Sequence, residues 1–70
     1  MFLIQSQTRA QAVAFMEWRD AADLVSSRWR TYVDAEPVAR EFAFASYVAA
    51  LDAEEAAAVD MAAIASRAAA

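Results

Sequence analysis

Residues 8–33 read TRAQAVAFMEWRDAADLVSSRWRTYV, and this stretch decides the fold. Between Thr8 and Val33 no Gly, Pro or Asn interrupts a helix. The large apolar residues recur at steps of three and four: Phe15, Trp18, Ala22, Val25, Trp29 and Tyr32. That is the period of one helix face, and the register extends backwards through Gln11 and Thr8 to Ile4. Small Ala14, Ala21 and Ser26 flank this seam, while Glu17, Asp20, Asp23 and Arg30 take the opposite side. The spacing predicts an amphipathic helix of about 26 residues, roughly 39 Å long. Val13, Met16 and Leu24 fall off the seam toward the polar side. Scattered apolar residues are ordinary on a surface, and these three are also candidates for the edge of a second contact.

Asp34-Ala35-Glu36-Pro37 is the punctuation. Pro37 suits a first helical turn, where its missing donor costs nothing, and the Asp34 or Glu36 carboxylate can cap the exposed N–H groups there. Glu36 and Arg40 form an acid-before-base pair four residues apart. So short a turn, residues 34–36, makes the two helices antiparallel neighbours.

The second helix, residues 37–51, reads PVAREFAFASYVAAL. Phe44, Tyr47, Val48 and Leu51 lie on one side of it; Val38, Phe42, Ala45 and Ala49 lie on another. A helix apolar on both sides needs cover on both, and one facing helix supplies only one. At Leu51-Asp-Ala-Glu-Glu55 a capping box is legible, with Asp52 as cap and Glu55 reaching back. Asp52, Glu54, Glu55 and Asp60 would scatter charge around a continuous helix. A fresh helix over residues 53–68 recovers a thin stripe of Ala57, Met61, Ile64 and Ala68. No Gly or Pro enforces the break, so continuation is the alternative; the balance tilts toward a kink near Asp52. Phe2-Leu3-Ile4 reads as an arm, a short strand or a helix extension.

Composition removes most chemistry. The 70 residues contain no Cys, His, Lys or Gly, and Ala fills 21 positions. Disulfides, sulfur-bearing zinc sites, thiolate nucleophiles and imidazole bases are therefore absent, as are a P-loop and a dinucleotide fingerprint. Ser26, Ser27, Ser46 and Ser66 have no base to activate them. Glu17, Asp20 and Asp23 lack the further ligands of a metal site, and Asp52, Glu54 and Glu55 read as acids at a helix start. No catalytic, cofactor or metal residue is assigned, and no enzyme activity or small-molecule substrate is expected.

Six arginines against ten acids leave a net charge of −4, the wrong sign for nucleic acid. Arg28-Trp29-Arg30 resembles a basic motif only in linear text, since positions two apart point about 160° from each other on a helix. No apolar run approaches the roughly 18 residues of a membrane span, and the N-terminus lacks the pattern of a signal peptide. The expectation is a cytoplasmic protein, or a virion component if phage-encoded; all-arginine basicity with abundant alanine fits a high-GC bacterial or phage gene.

A chain this short, without disulfide or metal, rarely buries enough core to stand alone. The sequence therefore points to an all-α helical hairpin that assembles into an oligomeric bundle. Its expected role is a non-enzymatic interaction or assembly protein, partnered by itself or by another protein. A small acidic phage-encoded inhibitor of a host machine and a virion structural component are the alternatives. Phe15, Trp18 and Phe42 are read as core. The residues assigned to a partner surface are Arg28, Trp29, Arg30 and Tyr32 near the turn, Val13, Met16 and Leu24 along the outer side, and Phe44 and Tyr47 on the second helix.

Overall fold

A computed structural model of the chain describes residues 2–69, with side-chain surroundings from Arg9 to Ala69. Two helices, α1 (Phe2–Val33) and α2 (Pro37–Ala69), lie side by side as an antiparallel hairpin. There is no strand among the described residues. α1 begins six residues before the Thr8 expected from the sequence, so the backbone of Phe2-Leu3-Ile4 is a helix extension; the side chains there lie outside the described ones.

The turn needs no glycine because none of the described residues has a positive φ. The Asp34 N–H donates to the Arg30 carbonyl at 3.1 Å, and the Ala35 N–H reaches back only three residues, to Tyr32, at 3.2 Å. That shorter bond tightens the last turn of α1 before the chain leaves it. At the start of α2 the Ala39 N–H donates to the Glu36 carbonyl at 2.9 Å, beside a Pro37 that has no donor to satisfy. The Glu36 acceptor here is its backbone oxygen rather than the carboxylate.

α2 runs unbroken through Asp52, contrary to the kink favoured by its acids. The reason lies in where the acids fall. Asp52, Glu55 and Asp60 are exposed, and only Glu54 reaches the seam, half-buried. Alanine propagates a helix readily, and nothing here removes a backbone donor.

The line of contact is also displaced from the one the large residues suggest. The most enclosed side chains are Ala14, Ala43 and Ala50, at 4–6% exposure. On α1 the buried and half-buried positions are Ala14, Trp18, Ala21, Ala22, Val25 and Tyr32; Phe15 and Trp29 stand off this line, about half-exposed. On α2, Ala43, Ala50 and Ala57 alternate with Tyr47, Glu54 and Met61 in a heptad repeat. Methyl groups at the closest approach let the two helices pack tightly, and the rings are pushed to the flanks. Across the seam Trp29 meets Tyr47 and Tyr32 meets Phe44, so facing residue numbers add to 76 and Glu54 sits at the level of Ala22.

Ala50→Leu is expected to lower hairpin stability by about 1–3 kcal/mol in denaturant unfolding, because the seam has no room for a larger side chain. Ala49→Leu, on an exposed position of the next residue, should stay within about 0.5 kcal/mol of the parent.

Candidate protein-binding surface

A pair of helices has two long flanks, and here they differ in chemistry. Phe15 and Ala22 each follow a seam position of α1 by one residue, and Trp29 continues their seven-residue column; Phe44, Leu51, Ala58 and Ala65 form the matching column on α2. In an antiparallel pair these two columns turn to the same side. The ring contacts mark that side: Trp29–Tyr47 at 5.1 Å, Tyr32–Phe44 at 5.3 Å and Trp29–Tyr32 at 5.6 Å between centroids. Phe44 and Tyr47 join the cluster at 6.4 Å, and a separate pair, Phe15 and Trp18 at 6.0 Å, lies farther along α1. Tilted pairs at these separations add about 0.5–1.5 kcal/mol each beyond the area they bury. Neither the cluster nor the pair is closed: Phe15, Trp29 and Phe44 remain 47–49% exposed. No residue of either column is charged.

The opposite flank holds two shallow grooves. At the open end, Arg9, Val13 and Glu17 of α1 face Asp60, Ile64 and Arg67 of α2, both signs around a small apolar floor. Near the turn, Arg28, Thr31 and Asp34 border a groove with Phe42 and Ser46. The Thr31 hydroxyl donates back to the Ser27 carbonyl at 3.1 Å and so is already engaged within α1.

The residues assigned from the sequence therefore divide. Trp29, Tyr32, Phe44 and Tyr47 come together in one cluster on the aromatic flank. Arg28 and Arg30 border the turn groove on the other side, and Val13 lines the open-end groove. Met16 and Leu24 are exposed; Met16 points about 170° from the seam, whereas Leu24, about 90° from it, lies on the same face as Val13, three turns along α1. Phe15 and Phe42 were read as core, and both are exposed, Phe42 at 81%. Val38, at 95%, and Val33 are likewise open beside the turn. Only Trp18 of that core trio is half-buried. The signal for the true seam was the heptad run Ala43, Ala50, Ala57, outshone by larger neighbours.

Among the described residues no three acids cluster closely enough to hold a metal ion, and no helix is long and apolar enough to cross a membrane. Comparison with protein families, curated proteins and solved structures finds no match to this chain.

The two flanks should respond differently to substitution. Tyr47→Ala removes two ring contacts at the seam and is expected to cost about 2 kcal/mol in unfolding. Phe42→Ser, at a side chain already in water, should change stability by less than about 0.5 kcal/mol. Paired thermal and denaturant melts measure both.

Proposed function

We propose that this chain is a non-enzymatic, self-associating helical assembly protein whose working form is at least a dimer. The observation that carries the reading is surface area. The hairpin exposes 5540 Å², whereas a compact monomer of 7.6 kDa exposes about 4,300 Å², so roughly 1,200 Å² of cover is missing. Folding as a lone hairpin removes only about half of the extended chain's surface, against about 60% for ordinary domains of similar length. The elongation has the same origin: the radius of gyration is 16.1 Å, where a compact chain of 70 residues has about 11 Å.

Part of the uncovered surface is the ring cluster of Trp29, Tyr32, Phe44 and Tyr47 on one flank, and a patch of that type marks an association site more than an isolated exposed residue does. A second copy is the partner that fits. The broad side of the hairpin spans 56 by 14 Å, an outline large enough to host a standard stable interface of roughly 800 Å² per partner. The absence of Cys, His and Lys supports an assembly role over a catalytic one.

Light scattering on a sizing column is expected to give at least twice the 7.6 kDa of one chain at micromolar concentration, with a melting temperature that rises with concentration. A single-chain mass persisting up to about 1 mM, where association is worth less than about 4 kcal/mol, would overturn the reading.

A further inference from the structure

Resting on that self-association, we infer that the second copy seats on the aromatic flank in antiparallel fashion. The turn of one hairpin lies against the open end of the other, about a dyad at the level of Ala22.

Three observations carry this. The first is the choice of flank. The aromatic flank has no charge in either of its columns, whereas the opposite flank presents Arg9, Glu17, Asp60 and Arg67 around its groove. Burying the aromatic flank removes half-exposed Phe15, Trp29 and Phe44 from water without desolvating a charge from those columns.

The second is the distribution of bulk along that flank. Trp29, Tyr32, Phe44 and Tyr47 crowd the turn end; toward the open end α2 offers Ala58, Ala62 and Ala65. A dyad parallel to the hairpin would stack rings on rings at one end and leave alanine facing alanine across a gap at the other. A dyad across the hairpin spreads the rings over both ends, laying Phe44 on Ala65 and leaving one ring pair, Phe15 on Trp29, at each; interdigitation of large with small along α2 helps fill the interface to protein density.

The third is register. A dyad crossing the hairpin stacks each helix antiparallel on its own copy. In α1 the column Phe15, Ala22, Trp29 is centred on Ala22, so Phe15 meets the second copy's Trp29 and Ala22 meets its mate. In α2 the column Phe44, Leu51, Ala58, Ala65 is centred between Glu54 and Glu55, so Phe44 meets Ala65 and Leu51 meets Ala58. The two centres were set by separate helices, yet the ring contacts across the hairpin place Ala22 level with Glu54. They fall at one height within a residue, so a single axis serves both columns. Two elements oppose the arrangement: the half-buried Glu54 carboxylates of the two copies come to the same level, and the exposed Glu55, one heptad before Ala62 on this flank, comes with them.

The chain has no native cysteine, so single introduced ones report cleanly. A spin label on Glu36→Cys, in the turn, should give an intermolecular distance of about 50 Å, twice the roughly 17-residue rise from the level of Ala22 to the start of α2. Ala22→Cys should form a disulfide-linked dimer under mild oxidation, because its mate lies across the axis. A label distance below about 20 Å would mean both turns lie at one end and would overturn the orientation. A long distance without the Ala22→Cys link would overturn the flank. If both labelled proteins scatter as single chains, with no intermolecular distance, self-association itself has failed, which is a different result from a dimer of the wrong geometry.

Discussion

Two helices laid side by side share a single line of contact, and a side chain on that line is covered from one direction only. Everything in this hairpin follows from that geometry. A ring placed in the seam would hold the helices apart, and a ring placed beside it keeps one face in water. The chain answers with alanine at the closest positions, Ala14, Ala43 and Ala50, and with rings on the flank. The helices gain close backbone approach and lose enclosed volume. No large side chain is fully buried among the described residues, an unusual condition for a chain with 61% hydrophobic content.

This also explains which parts of the architecture were legible. The unbroken run from Thr8 to Val33 and the lone Pro37 were enough to read two helices and a tight reversal. The seam was harder to place. Phe15 and Trp29 lie on the same 3-4 repeat as Trp18, Val25 and Tyr32, and a periodicity weighted by side-chain size takes the whole set as one line. On the helix surface the set is broad, and the contact settled on its alanine side because interaxial distance rewards the smallest residues. The acids of α2 misled for a related reason. Asp52, Glu55 and Asp60 were counted as interruptions of a stripe, but once the stripe is narrow enough to be filled by alanine, three of the four acids miss it. Glu54 alone falls inside, and a half-buried position lets its carboxylate reach solvent.

The residues marked for a partner were legible only as a mixture. Trp29, Tyr32, Phe44 and Tyr47 could be brought together only by knowing the register across the turn, which no spacing within one helix reveals. Arg28 and Arg30 share the turn end with them along the chain, yet rotation about α1 sends both to the other flank, where Val13 of the outer-side set also lies. Phe42 shows the opposite error: aromatic character alone suggested core, while its place on α2 leaves it in water.

The difference between the flanks bears on how large an assembly can grow. A dyad-related contact uses the same patch on both copies and is closed once formed. Continued growth would require the second flank to stick as well. That flank carries cations and anions in the same groove, Arg9 and Arg67 with Glu17 and Asp60, and keeping these hydrated is cheaper than burying them against an unmatched surface. Phe42 lies there beside Arg28 and Asp34, and Val13 and Ile64 lie among Arg9, Glu17, Asp60 and Arg67, so its apolar residues are interleaved with charge. A chain that needed only to cover its rings would thus stop at a pair. On the proposed self-association, the asymmetry between a side whose ring-bearing columns carry no charge and a groove of both signs favours a closed four-helix bundle over an extended array.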